Sequence, residues 1–190
     1  MPEVELKALE QCRGRILDVG AGAGCHALVL QEMGQDVTAL EYSPLSAALM
    51  KEQGVNKIIC QDFFSLDSGR YDTLLLLWNG IGFTGTLAGL RQFLAKARNL
   101  LRPGGRILFD STDCAYIFRE KPSAEAPYYG ETCFQYEYKN ETSGWLELLL
   151  IDRHTLRGIV EEEGWEMEVL AENDISRWSL GQYLVRCRPW

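Results

Sequence analysis

The chain of 190 residues contains no apolar run long enough to span a membrane, and its charged opening, MPEVELKALE, lacks the pattern of a secretory signal. It is short of positive charge: 19 Lys and Arg stand against 27 Asp and Glu, a formal net charge of −8. That balance argues against nonspecific attraction to nucleic acid or to an anionic membrane surface. The six cysteines (Cys12, Cys25, Cys60, Cys114, Cys133 and Cys187) include no close pair. A disulfide framework and a zinc site are thereby disfavoured, and reduced thiols in a cytoplasmic setting are expected. Without a CxxxCxxC run there is no iron–sulfur cluster and no radical chemistry started by one. Internal repeats, low-complexity stretches and a convincing metal-ligand set are also lacking, and the sequon at Asn140 is read as chance.

What is present is an ordinary globular composition, 46% hydrophobic, read as one domain over residues 1–190. Val4, Ala8 and Cys12 share a helical face, so residues 1–14 are expected to hold a short N-terminal helix ending at Gly14. Strands are expected at Arg15–Val19, Asp36–Leu40, Lys57–Cys60, Tyr71–Trp78 and Arg106–Asp110. Helices fall between them. Cys25–Met33 stops at Gly34, and a second helix starts at Ser43-Pro44 and stops at Gly54. A third repeats Leu87, Leu90, Leu94, Ala97 and Leu101 before Pro103-Gly104-Gly105. The four leucines Leu74–Leu77 mark a strand buried on both faces, as in a parallel sheet. The alternation argues a doubly wound α/β sheet.

That alternation breaks between Ser111 and Ile151, an aromatic-rich interval too long for a simple connection. Glu131–Tyr138 and Trp145–Ile151, joined by a turn at Lys139–Gly144, read as an inserted β-hairpin after the fifth strand. Residues 111–151 are the candidate substrate lid. Asp152 then caps a helix closed by Gly164. Trp165–Leu170 and Tyr183–Cys187 finish the chain as an antiparallel pair.

The chemistry concentrates in ILDVGAGAG, Ile16–Gly24, where a strand runs into three glycines and then a helix. Glycines there permit a tight turn and a close approach of backbone to ligand, with helix N–H groups facing it. Glu41 ends the second strand about 20 residues further on, where a carboxylate accepts both hydroxyls of a ribose. The cofactor is not read as a dinucleotide. Its fingerprint needs G-x-G-x-x-G, and here the third glycine comes one position early, with Cys25 at the matching place. Asp18 also repels a pyrophosphate, whereas a cofactor bearing sulfonium and ammonium groups tolerates it. S-adenosylmethionine is favoured.

On these residues the chain resembles the class I S-adenosylmethionine-dependent methyltransferases, and the resemblance runs from ILDVGAGAG through LRPGGRILFD to the terminal strands. It implies a seven-stranded, mainly parallel sheet with the last strand antiparallel. It also implies that the loop of Asp18, Gly20, Ala21, Gly22 and Gly24 embraces the methionine part of the cofactor. Glu41 would hold the ribose beside Tyr42, and Asp62-Phe63 would meet the adenine. NGIGFTGTLAGL and the ending GQYLV are similar to a bacterial group of small methyltransferases of undefined substrate. That group usually has more chain before the first strand, so a shorter substrate cover is expected.

Acceptor groups are expected beyond the carboxyl ends of the fourth and fifth strands. Trp78 and Asn79 lie at the first, Asp110 and Asp113 at the second. Asn79-Gly80-Ile81-Gly82 lacks the (Asn/Asp)-Pro-Pro-(Tyr/Phe) tetrad of the family's DNA and glutamine N-methylating branch. Asn79 orients the acceptor or the cofactor's methionine end, or is a turn residue. It and Asp113 are the catalytic candidates. Asp110 and Asp113 serve as base or amine anchor, or as caps for the next segment. Trp78, Asp110, Tyr128 and Tyr129 are the substrate candidates, with Tyr116, Tyr136, Tyr138 and Trp145 as further aromatic wall. Cys25 and His26 read as helix-start packing beside the cofactor, and His154 as a surface residue. The expected reaction is in-line methyl transfer to O, N or C of a small molecule, with a general base needed only for a protonated acceptor. Protein methylation, aminopropyl transfer, a nicotinamide oxidoreductase and a non-catalytic cofactor- or partner-binding module are the alternatives.

Overall fold

A computed structural model of the chain describes residues 1–115, 127–172 and 181–190. Helix α1 (Glu3–Gln11) precedes β1 (Arg15–Val19), α2 (Cys25–Glu32), β2 (Asp36–Glu41), α3 (Pro44–Glu52), β3 (Ile58–Cys60) and β4 (Tyr71–Leu76). There follow α4 (Leu87–Leu100), β5 (Leu101–Thr112) and four short strands, β6 (Glu131–Phe134), β7 (Glu137–Tyr138), β8 (Glu141–Thr142) and β9 (Leu146–Leu149). Helix α5 (Arg153–Glu162) leads to β10 (Trp165–Glu172) and β11 (Gln182–Pro189).

Seven strands form one sheet in the order β10-β11-β5-β4-β1-β2-β3. Only β11 runs against its neighbours, antiparallel to both β10 and β5. The chain winds outward from β1 to β3 and then restarts at β4, so the direction of winding reverses between β1 and β4. In such sheets the crevice beyond the carboxyl ends at that reversal is where ligands bind. Alternate side chains explain how both faces are filled. Leu17, Leu74 and Leu76 join the core under α4 and α5, while Ile16, Leu75 and Leu77 join the core under α1, α2 and α3. Among the described residues no helix is long and apolar enough to cross a membrane.

Three expectations shift. Leu101 belongs to β5 rather than to the helix before it, because its backbone is already extended and it pairs with Tyr71. Pro103-Gly104-Gly105 is therefore an irregularity within the strand, with a register break between Tyr71 and Thr73. The fourth strand stops at Leu76, since Trp78 and Asn79 take positive φ values of 61° and 54°. The hairpin is two ladders, β6 with β9 and β7 with β8, and its tip turns at Lys139 (φ 56°). Tyr136 and Ser143 bond to each other where the ladders meet. Tyr116 lies outside the described residues.

Candidate cofactor and acceptor site

Strand β1 delivers the chain into the glycine turn, which is tied to the end of β2: the N–H groups of Gly20 and Ala21 both donate to the Leu40 carbonyl, at 2.9 and 3.1 Å. Gly20, Gly22 and Gly24 have φ values of 71°, 57° and 86°, a region that β-carbons disfavour. Their surroundings differ. A β-carbon on Gly20 or Gly22 would meet nothing within 4 Å, so these two border free space. On Gly24 it would lie 2.8 Å from Met50 Cγ and 2.9 Å from Val55 Cγ2, so this glycine lets α2 pack against α3.

Two carboxylates flank the turn. Glu41 Oε2 accepts from the Gly22 N–H at 2.8 Å and Oε1 from the Ser43 N–H at 2.9 Å, leaving further lone pairs on each oxygen. Asp18 is 2% exposed and its Oδ2 has no partner. Burial pushes the Asp18 pKa up to about 6; His26 and the Ala27 amide pull against that shift, and Glu41 adds to it. Asp62 Oδ1 accepts from Phe64 N at 2.8 Å and Ser65 N at 3.2 Å, which makes it the cap of a short 3-10 turn. Phe63 is buried among Phe64, Phe83 and Phe93, while Tyr42 is exposed at the end of β2.

Beyond β4 the chain makes two consecutive left-handed residues. For a side chain as bulky as Trp78 that conformation costs roughly 1–2 kcal/mol and persists only when the surroundings enforce it. Two carboxylates do so. Trp78 Nε1 donates to Glu5 Oε1 at 2.6 Å, and Glu5 Oε2 lies 3.1 Å from His26 Nε2, whose ring stands edge-on to the Trp78 indole. The Asn79 N–H donates to Asp110 at 3.1 and 3.2 Å, and Gln182 Nε2 donates to the same carboxylate at 2.6 Å. Glu5, His26 and Asp110 are buried, yet Trp78 is 67% exposed. Asn79 Oδ1 is buried without a partner.

This arrangement corrects the reading of Asp110 as a substrate contact. It is fully buried, its carboxylate is spent on Asn79 and Gln182, and desolvation raises its pKa, so it positions the turn instead. Asp113 accepts from Ala115 N and from the Tyr129 hydroxyl, both at 2.8 Å, the cap alternative rather than a free base. Tyr128 donates to Asp152 Oδ2 at 2.8 Å and accepts from Asp152 N at 2.7 Å. Burial first, and these carboxylates after it, hold both tyrosines well above the ordinary phenol pKa. Tyr136, Tyr138 and Trp145 are exposed on the hairpin. Burial also raises the Cys25 thiol, with Asp18 adding to it, which disfavours the thiolate form. Glu5 and Gln182 are the residues that sequence reasoning missed, and His26, read as helix-start packing, also meets Glu5 and Trp78. Glu5 left one signal: it sits four and seven residues before Leu9 and Cys12, an acid inside an apolar helical stripe.

A family model for the methyltransferase domain matches residues 17–109. A solved S-adenosylmethionine-dependent methyltransferase from Bacteroides fragilis, in complex with S-adenosyl-L-homocysteine, is 39% identical with a TM-score of 0.89, covering 100% of this chain and 78% of that one. The chain belongs to the S-adenosylmethionine-dependent methyltransferases. Its lone antiparallel β11 inside an otherwise parallel sheet is the Rossmann-like arrangement of that family. A DhpI complex shares the fold at 20% identity and a TM-score of 0.75, over 97% of this chain and 85% of that one. A glycine/sarcosine N-methyltransferase from Halorhodospira halochloris is 24% identical over 175 residues, covering 80% of this chain. The methyltransferase chain spans 65% of the length of that curated relative.

Proposed function

We propose that this methyltransferase binds S-adenosylmethionine in the crevice between β1 and β4 and methylates a nitrogen of a small-molecule amine. One observation carries the cofactor reading. The two orphaned buried acceptors at the crevice, Asp18 Oδ2 and Asn79 Oδ1, both call for a ligand that donates protons and carries positive charge. Beside them Gly20 and Gly22 leave the space that a β-carbon would fill.

In this reading Gly20, Ala21, Gly22 and Gly24 form the loop around the methionine part, with Asp18 and Asn79 toward its ammonium group. Glu41 takes the ribose hydroxyls on lone pairs that Gly22 and Ser43 leave free. Tyr42 flanks the adenine, and Asp62 Oδ2 with the Phe63 amide reads its edge. Bound S-adenosylmethionine supplies a methyl carbon activated by sulfonium. The chain's own work is alignment and exclusion of water. Trp78, held by Glu5 and His26, offers its exposed indole as a wall on the acceptor side. The buried carboxylates Glu5, Asp18 and Asp110 favour positive charge there, which suits an amine that becomes cationic on methylation. An amine arriving neutral needs no base from Asp113, already engaged with Tyr129. The names of relatives, glycine/sarcosine and glycopeptide N-methyltransferases, agree with nitrogen as acceptor. The described part of the interval after β5, residues 127–151, is proposed as the substrate cover, and six unpaired cysteines support a reducing, cytoplasmic setting.

Calorimetry with S-adenosylmethionine, S-adenosylhomocysteine and NAD tests the cofactor: the first two should bind and NAD should not. A screen of metabolites with labelled cofactor tests the acceptor, and labelled amines are the expected product. Transfer only to proteins, or to nothing at all, would overturn the small-molecule reading.

A further inference from the structure

We infer that the rim of the sheet opposite the cofactor crevice holds a site for a phosphate-type oxyanion, built from Arg13, Arg106, Arg186 and Arg188. The strand register puts these side chains together. Cys187 pairs with Ile107 and Arg186 with Leu108, which sets Arg188 across from Arg106 on the same face of the sheet. Side chains directly opposite in this way start about 4.5–5.5 Å apart, and like charges so placed repel. Thr73 of β4 pairs with Arg106 from the other side, and its hydroxyl both donates to the Arg13 carbonyl at 2.9 Å and accepts from the Arg13 N–H at 3.2 Å. Arg13 is thereby docked beside Arg106.

Few acidic groups among the described residues neutralise this cluster. Glu168 pairs with Arg186, Gln11 Oε1 accepts from Arg186 Nη1 at 3.1 Å, and the exposed Glu166 stands opposite Arg188. The C-terminal carbonyls of α1 add a partial negative charge. Four guanidinium groups thus face two carboxylates in a chain whose net charge is −8, so composition does not explain them. Arg106 is 5% exposed, and its Nε and Nη1 have no partner among the described residues. The Nε atoms of Arg186 and Arg188 are likewise buried and unpaired. Burial, and then the charges of Arg13, Arg188 and Arg186, lower the Arg106 pKa to about 10, with Cys12 opposing.

Among the described residues, the buried unpaired side-chain groups therefore fall mostly into two sets of opposite chemistry. Acceptors lie at the cofactor crevice, and donors lie here. Planar guanidinium forks with free N–H groups match the oxygens of a phosphate, which can take several parallel hydrogen bonds at once. Helix α1 spans both places, with Glu5 against Trp78 near its start and Gln11 against Arg186 at its end.

The test is calorimetry and thermal unfolding with inorganic pyrophosphate at low ionic strength, against chloride at matched ionic strength. Each titration is run with and without saturating S-adenosylhomocysteine, so that failure of the cofactor reading and failure of this one stay distinguishable. Saturable binding of one pyrophosphate, unaffected by S-adenosylhomocysteine, is expected, with a rise in Tm beyond that in chloride. Arg106→Met and Arg188→Gln should each weaken it about tenfold, the loss of one charged hydrogen-bonding group. Their affinity for S-adenosylhomocysteine should not change. Arg106→Met removes an unpaired buried charge, so it should fold at least as well as the parent. A response no larger than that to chloride, competition with S-adenosylhomocysteine, or parent-like affinity in both variants would overturn the site.

Discussion

The glycine turn and the turn after β4 face each other across the same crevice, yet they are made in opposite ways. Gly20 to Gly24 is a local construction: its hydrogen bonds come from the turn itself and the end of β2, and Glu41 reaches Gly22 over 19 residues. The Trp78-Asn79 turn is held from far away in the chain, by Glu5 at 73 residues and Asp110 at 31, with Asp110 braced by Gln182 at 72. Local spacing sets the proposed cofactor side, and tertiary contacts set the proposed acceptor side. A family can then keep the first while the second changes with its substrate.

The sharpest break in that comparison lies within the glycine turn itself. Gly24→Val combines a left-handed backbone with overpacking against Met50 and Val55, and should cost about 3–5 kcal/mol of stability, measured by denaturant unfolding. Gly20→Ala has free space around the new β-carbon, so only the backbone strain of roughly 1–2 kcal/mol should appear in stability. Its larger effect should be on cofactor affinity. On the opposite side, Asp110→Ala removes the acceptor of the Asn79 N–H and of the Gln182 amide in a partly buried place. That loss should approach the same size, about 2–4 kcal/mol for the pair. Equal stability of Asp110→Ala and the parent would mean that the turn is held by something other than this carboxylate.

The contrast also explains what could be read from the sequence. The sheet was legible because Leu74–Leu77 and Ile16–Val19 are too apolar for a surface strand and the glycines punctuate them. Asp18 and Glu41 were legible as a pair because both sit at fixed distances from the turn. Glu5, Gln182 and the partners of His26 were not, since these contacts lie far apart in sequence and no spacing rule connects them. Asp110 was misassigned for the same reason: its place at a strand end was visible, but its burial against Gln182 was not. Leu101 was read as helix because its apolar period continues that of α4, and pairing with Tyr71 overrode that period.

Glu41→Ala should weaken S-adenosylhomocysteine binding by about 1–3 kcal/mol, the range for losing a charged hydrogen-bond partner, and unchanged affinity would remove its ribose role. Asp18 gives a pH signature. Its folded pKa of about 6 lies above the ordinary carboxylate value of 3.8, so the folded state holds the proton more tightly. Its burial therefore costs nothing below pH 3.8, and stability falls as pH rises through 6. A cationic cofactor prefers the ionised form, so binding should tighten by about tenfold between pH 5 and 7. Asp18→Asn should flatten that profile, and a profile of the same slope in the variant would assign it to another group.

The smallest effect concerns the acceptor side, and it separates charge from shape. Glu5→Gln keeps the size of the side chain and an oxygen that accepts from Trp78 Nε1, but gives up the negative charge shared with His26. If the turn is held mainly by that oxygen, stability should drop by only about 1 kcal/mol, the difference between a charged and a neutral hydrogen bond. Binding of S-adenosylhomocysteine should change less, through Asn79 alone, because the hydrogen bonds of the glycine turn come from the end of β2 and not from α1. Methyl transfer to an amine should fall more than either, since Glu5 is one of the carboxylates that favour positive charge beside Trp78. Comparing kcat and KM for the acceptor with Kd for the cofactor reads this directly. A loss confined to Kd would place Glu5 on the cofactor side and erase the division between the two turns.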